Sequence, residues 1–334
     1  MATKRRTKIL GTGVYLPRKE VSAEELSKKL PVSPEWILKQ SGVHTRYFAS
    51  EDETASKMGA MAAREALQNA HVDLSEIDVI ISTSGTPEML IPCTAALIHK
   101  ELQCNHSNIP AFDINSTCLS FVTGLDLISH MIDAKKYRKV LLISSEIASV
   151  GIDWSDPESA TLFGDGAAAV VLGYPDKEEP SAILGSHAET HSDSSHLCII
   201  EGGGTRLHAK HHSEETKKQY LFQMDGRGVF RKASQEIKRF VGKLLTEASI
   251  SFEDVALYIP HQASRMALGI IKKKLAIEDA KWMQIVENHG NVIAASIPMA
   301  LHQAIQQKRI KRGDKVALFG TSAGLSIGGV VFEY

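Results

Sequence analysis

Residues 111–126 read AFDINSTCLSFVTGLD. The segment 109–114, IPAFDI, has the β-branched and aromatic residues of a strand, and 119–135 has the apolar spacing of a helix. Between them lie a few small polar residues and one thiol. Cys118 therefore sits at a strand–turn–helix elbow, at the start of a helix. Backbone N–H groups without intrahelical partners, and the positive end of the helix dipole, favour a thiolate there. The same N–H groups can hold an oxyanion. A buried structural cysteine is the plainer alternative, since cysteine is among the most buried residues. The elbow alone does not choose between them.

Outward from this elbow the chain alternates between strand and helix. DVIIST (78–83), KVLLISS (139–145) and GAAAVVLG (166–173) read as strands, and AALIHKEL (95–102) as a helix. This is an α/β pattern. The same order then recurs. ALQNAHVDLSEIDVIIST (66–83) resembles LLTEASISFEDVALYIPH (244–261) without a gap, at an offset of 178. KVLLISS at 139 matches KVALFGT at 315, an offset of 176, and GAAAVVLG has a counterpart in SIGGVVFEY (326–334). Ordered matches at nearly one offset argue for an internal duplication. The break falls in a polar stretch rich in Ser, His and charge, from about 174 to 215.

The duplication supplies partners for the thiol. The strand ALYI (256–259) runs into PHQAS, so His261 lies at a strand's carboxyl end, the edge of an α/β sheet where sites form. The segment VENHGNVIAASIPMALHQAI (286–305) is the second copy of the cysteine elbow, with Asn291 opposite Asn115. Two pseudo-symmetric elbows facing each other would bring Cys118, His261 and Asn291 together. A core histidine and a turn asparagine are the plainer readings of the last two.

The bulk properties narrow the function classes. The chain has 334 residues, 43% hydrophobic and 23% charged, with a net charge of −1. That supports a large core and gives no reason to expect nucleic-acid or anionic-membrane binding. The opening MATKRRTK is followed at once by ILGTGVYLP, too short and glycine-broken for a signal peptide, and no stretch approaches the ~20 apolar residues of a membrane span. The four cysteines, Cys93, Cys104, Cys118 and Cys198, form no CxxC pair, which points to a reducing, cytoplasmic setting. His208, His211 and His212 read as a solvated loop, because no carboxylate or cysteine arrives at ligand spacing.

FDINSTCLSF, YIPHQAS, NHGNVIAASIP, FGDGAAAVVLG and GTSAGLSIGG together resemble the thiolase-fold condensing enzymes, above all the 3-oxoacyl-[acyl-carrier-protein] synthase III type. ILGTGVYLP and SPEWILKQSGVHTRYFAS fit the same family, so the resemblance runs nearly end to end. It implies a five-layered α/β/α/β/α fold from two duplicated halves, 1–174 carrying the nucleophile and 175–334 carrying His and Asn. It implies a homodimer, a Cys118–His261–Asn291 triad, and an oxyanion site from the backbone N–H groups of Cys118 and Ala323. Trp36, Phe121 and Arg265 fall at substrate-binding positions. The implied substrates are acyl-CoA or an acyl-carrier protein, and malonyl-carrier protein, with no metal or other cofactor. Cys118 would take the acyl group as a thioester, and His261 and Asn291 would support decarboxylation of the malonyl unit.

The sequence also departs from that family. Arginines usual at the tunnel mouth are replaced by Gln40, four residues after Trp36, by Pro157, six before Phe163, and by Met266; Ser264 replaces an asparagine, and Arg265 is one residue displaced. Arginine forks are strong phosphate ligands, so these changes weaken the expectation of ordinary coenzyme A recognition. Trp36 could still stack on an adenine, and Lys39, Arg227 and Arg265 are either substitutes or solvated charges. A helix over 228–240, with Arg227, Arg231, Lys232, Lys238 and Arg239 on or beside its outer face, offers a docking surface for an acidic carrier protein. Two other readings stay open: an acyltransferase or non-decarboxylating condensing enzyme of specialised metabolism, and a non-catalytic member of the fold. Ile91, where the head-to-head condensing branch carries a glutamate base, speaks against that branch.

Overall fold

The computed structural model describes residues 4–105 and 107–334; the first three residues of the basic opening lie outside the described residues. Two sheets carry the architecture. The first contains β1 (Lys8–Tyr15), β2 (Val79–Ser82), β3 (Ala111–Asp113), β4 (Lys139–Glu146) and β5 (Gly166–Gly173), in the order β1-β5-β4-β2-β3. The second contains β6 (Ala182–Thr190), β7 (Val255–Pro260), β8 (Lys315–Ser322) and β9 (Ser326–Glu333), in the order β7-β8-β9-β6. In each, one corresponding pair is parallel (β2 with β4, β7 with β8) and the following hairpin is antiparallel. The second sheet repeats the first minus β3, whose place is marked by a single parallel bridge between Tyr258 and Trp282.

Alternation along the strands explains the layers. Val79, Ile81, Val140 and Leu142 point to one face of the first sheet, Ile80, Leu141 and Ile143 to the other. The inner faces of both sheets clamp α3 (Ser120–Asp133) and α6 (Ser296–Gln306) in one apolar cluster. The outer face of the first sheet is covered by α1 (Ala55–Ala70) and α2 (Thr94–Glu101), that of the second by α4 (Gly226–Glu247) and α5 (Arg265–Leu275). This is a five-layered α/β/α/β/α arrangement. The glycines of ILGTGVYLP allow its closest contact: a Cβ at Gly11 would lie 2.4 Å from Ala70 N, and one at Gly13 2.3 Å from Ala62 O. The alanine-rich α1 thus packs directly on β1.

The duplication extends to backbone detail. His71 and Ser249, 178 apart, both end their helices in the left-handed conformation. Helix α4 is longer than the expected 228–240, because Asp225 caps it early and apolar spacing continues through Val241, Leu244 and Leu245.

Candidate active site

The cysteine elbow is built from short-range bonds. Thr117 N donates to Asn115 Oδ1 (2.8 Å), Ser116 N to Ser120 Oγ (2.9 Å), and Thr117 takes a left-handed φ of 51°. Cys118 lies in the 3₁₀ turn Thr117–Leu119 that leads into α3. The asparagine elbow repeats this bond for bond at an offset of 176. Ile293 N donates to Asn291 Oδ1 (3.0 Å), Val292 N to Ser296 Oγ (3.0 Å), and Ile293 has a φ of 44°. Because Oδ1 is committed to this turn, Asn291 keeps its Nδ2 hydrogens as donors. Its backbone is fixed by the FGDG segment, through Asn291 N to Leu162 O (2.7 Å) and Gly164 N to Asn291 O (3.2 Å).

The two elbows meet. A Cβ at Gly85, on the loop after β2, would lie 2.8 Å from Ile293 Cγ2 and 3.3 Å from the Thr117 carbonyl, so this strip is wedged between them. Thr117 Oγ1 reaches Ala323 O at 3.5 Å, and the backbone N–H groups of Ala323 and of Cys118 itself act on the Cys118 thiol.

His261 follows β7 and donates its N–H to Phe319 O (2.8 Å) on β8. Its first-half equivalent is Thr83, whose N–H donates to Ile143 O (2.6 Å). There Thr83 Oγ1 bonds Ser144 Oγ at 2.9 Å. In the second half the partner of Ser144 is Gly320, where a Cβ would stand 2.5 Å from His261 Cβ. Loss of a side chain at 320 makes the space in which the imidazole stands. His261 is buried, and its Nδ1 has no partner among the described residues. Burial pushes its pKa down to about 4, so the ring is neutral at ordinary pH.

The thiol differs from the sequence expectation. Although part of Cys118 remains accessible, the surrounding protein pushes its pKa up to about 12, with Glu146 and Cys198 adding to the rise. The N–H groups of Ala323 and Cys118 pull the other way without prevailing. The turn-start N–H groups are present as expected, but the thiolate they were expected to favour is not the resting form. The thiol and the imidazole are thus each neutral at rest.

Of the substrate-binding expectations, Phe121 is buried in the central apolar cluster. Trp36 is half-buried on the helix Pro34–Gln40, and Arg265 stands at the adjoining surface, where a Cβ at Gly42 would touch its stem at 2.5 Å. Arg265 pairs with Glu287 at 3.6 Å. Met266 is exposed on α5, Pro157 opens a short helix, and Ser264 caps α5 through Ala267 N (3.2 Å). On α4, Arg227, Arg231 and Lys238 are exposed, while Arg239 is engaged by Glu189 and Glu236. No group of three His, Cys, Asp or Glu suited to a metal occurs among the described residues.

Sequence reasoning missed Gly320 and Glu146. The offset could have found both, since Gly320 aligns with Ser144 and Glu146, a charge ending a buried strand, aligns with Ser322.

Comparison with known proteins joins this geometry to a family. Residues 112–192 match the family model 3-oxoacyl-[acyl-carrier-protein (ACP)] synthase III, and 245–334 match its C-terminal model. The beta-ketoacyl-[acyl-carrier-protein] synthase III of Neisseria gonorrhoeae is 35% identical over 327 residues, covering 98% of this chain and 99% of that one. The chain belongs to the synthase III family. The Aquifex aeolicus synthase III structure superposes with a TM-score of 0.88 at 34% identity, covering 98% of this chain and all of that one. The priming beta-ketosynthase of the R1128 polyketide pathway gives 0.88 at 26%, covering 100% and 98%. OleA of Xanthomonas campestris, at 21% identity and a TM-score of 0.84, shares the fold. As a synthase III the chain is a transferase, a decarboxylative condensing enzyme of fatty-acid or polyketide biosynthesis, on the thiolase-like fold.

Proposed function

We propose that Cys118 carries the acyl group and that His261 and Asn291 run the decarboxylation. The Cys118 sulfur attacks an acyl thioester; the carbon–sulfur bond to the donor breaks, and the thiol proton leaves with the donor thiol. The N–H groups of Cys118 and Ala323 hold the oxyanion. A malonyl thioester on a carrier protein then loses CO2. The neutral imidazole and the Asn291 amide donate to its carbonyl oxygen as the enolate forms. The enolate carbon attacks the acyl-cysteine, the 3-oxoacyl thioester departs, and the cysteine sulfur takes up a proton. The balance closes with the two thioesters and one proton taken from solvent, which restores the Cys118 thiol after its own proton has left with the donor. The observation that carries the reading is the second-half elbow, which commits Asn291 Oδ1 to its own turn and leaves the amide hydrogens as donors, together with an imidazole at His261 that burial keeps neutral.

A homodimer in the cytoplasm fits this reading. β3 is an edge strand with Phe112 half-exposed, and the nearby loop shows Leu90 at 73% and Ile91 at 88% exposure, an apolar patch of the kind that a second subunit covers. The division into halves 1–174 and 175–334 follows the two sheets. Trp36 and Arg265 flank the substrate entrance in this reading, and Phe121 backs the acyl pocket. With Gln40, Pro157 and Met266 at the mouth, an acyl-carrier protein is the favoured first donor, drawn by Arg227, Arg231 and Lys238.

The test is incubation with acyl thioesters of graded length followed by intact mass, with CO2 release from malonyl-carrier protein measured in parallel. An adduct that Cys118→Ala abolishes, with CO2 release that His261→Ala and Asn291→Ala abolish while the adduct persists, is expected. No adduct at any chain length overturns the reading. An adduct without CO2 release favours simple acyl transfer.

A further inference from the structure

The two elbows are copies, yet only one carries a thiol. Cys118 aligns with Ala294 at the offset of 176, so the backbone N–H of Ala294 is the second-half version of the Cys118 N–H. In the first half that N–H acts on the nucleophile, next to Ser322 and Ala323 at the end of β8. For the second-half elbow, the residue equivalent to Ser322 is Glu146, at the end of β4 in the first sheet. Glu146 is fully buried. Its Oε1 accepts from Gly85 N (2.6 Å), and its Oε2 from Thr86 N (2.9 Å) and Thr86 Oγ1 (2.5 Å). β4, which ends in Glu146, packs against the turn Ile293–Ala295, whose Ala294 N–H helps to hold the Glu146 pKa down. We infer that Glu146 is an internal anion filling a pseudo-symmetric copy of the Cys118 oxyanion site, and that by filling it Glu146 holds the Asn291 elbow in its working shape.

Three features support this. The donors around the carboxylate are backbone N–H groups and one hydroxyl, the same chemistry that receives an oxyanion. The strip it holds, Gly85–Thr86, is the one wedged between Ile293 and Thr117, so the carboxylate fixes the strip on which both elbows rest. Where the live site needs space for substrate, the chain has a short serine whose hydroxyl turns to Ala323 O (3.3 Å); where the copy would stand open, it has a glutamate. Burial pushes the Glu146 pKa up to about 7, and those neutral donors pull it back. Glu146 is thus a positioning residue. It acts on decarboxylation through Asn291, whose left-handed neighbour Ile293 directly precedes Ala294.

The function assigned to Asn291 is the proposed one, so the test has an arm that does not depend on it. Glu146→Ala, Glu146→Gln and wild type are compared in sodium formate and in sodium chloride of equal ionic strength. One readout is the thermal midpoint, the other CO2 release from malonyl-carrier protein. In Glu146→Ala we expect CO2 release to fall by about one to two orders of magnitude, more than Cys118 acylation does. Formate, entering the vacated anion site, should recover several-fold of that loss and raise the midpoint of Glu146→Ala above its effect on wild type. Glu146→Gln fills the space but turns an amide on the N–H groups, so it should lose CO2 release without formate rescue. Wild-type CO2 release in Glu146→Gln, or formate acting no differently from chloride on Glu146→Ala in both readouts, overturns the inference. If Glu146→Ala does not fold, Glu146→Gln alone decides it. If wild type releases no CO2, the reaction assignment fails, and the thermal arm still decides the anion site.

Discussion

Replacing Gly320 by alanine should separate the two chemical steps. An added Cβ stands 2.5 Å from His261 Cβ, against 3.4–4 Å for ordinary contact, so one of the two must give by about 1 Å. β8 is held on both sides, by β7 and by β9, so the histidine is the part that moves. A displacement of about 1 Å in a positioned catalytic group costs roughly 100-fold, and forcing a methyl into a packed core costs about 1–3 kcal/mol of stability. In the proposed reaction, acylation of Cys118 depends on N–H groups of the elbow and Ala323, while the atoms nearest the added methyl all belong to His261. The expected result is a Gly320→Ala enzyme that is labelled on Cys118 within a few-fold of the wild-type rate but releases CO2 about 100-fold more slowly. Stopped-time intact mass follows the first step and CO2 capture the second. Ser144→Gly, the equivalent site in the other half, is the control: it removes the Thr83 hydroxyl bond, worth about 1 kcal/mol, and should leave CO2 release unchanged. A Gly320→Ala enzyme that decarboxylates at the wild-type rate would refute the account of how His261 is held.

The remaining predictions concern protons and the donor. His261 titrates near 4 in the fold and near 6.5 unfolded, so the unfolded chain binds the extra proton between those values and stability falls as pH drops through that window. The loss amounts to about 3 kcal/mol on full protonation, and urea unfolding of wild type against His261→Asn from pH 7 to 4 should show a shallower decline in the variant. With the Cys118 thiol pushed up to about 12, alkylation of Cys118 by iodoacetamide should rise about tenfold per pH unit through pH 9; a plateau near pH 7 would contradict the neutral resting thiol. Gln40→Arg/Met266→Arg should raise kcat/KM for acyl-CoA more than for acyl-carrier protein. Arg231→Glu/Lys238→Glu should lower it for acyl-carrier protein, with the difference fading in high salt. Equal effects on both donors would remove the case for a carrier-protein donor.

Much of the fold was legible because hydrophobic alternation and the repeat are local properties of the chain. The strands around 79–82, 139–146 and 166–173 and the cysteine elbow follow from a period of two and a switch to helical spacing. The candidate site was legible because the offset brings Asn291 opposite Asn115, and the structure reproduces that pairing down to the side-chain bonds. The thiol's charge state was not legible. Its sign depends on how deeply Cys118 is enclosed and on a carboxylate 28 positions further along, and neither is a property of the elbow's own residues. The docking helix shows the same limit. Arg239 reads as a free surface charge, yet β6 brings Glu189 against it. Glu146 and Gly320 were hidden because a residue's meaning there lies in its difference from its twin, which appears only once the halves are overlaid.

The pairs Thr83–Ser144 and His261–Gly320 also carry a statement about order in time. When one segment is copied, both halves begin with the same two residues at these positions. A histidine arriving opposite a serine would meet a side chain where 2.5 Å is all the room there is, whereas a glycine arriving opposite a threonine only loosens a contact. The accessible route from a serine-bearing ancestor is therefore glycine first and imidazole second.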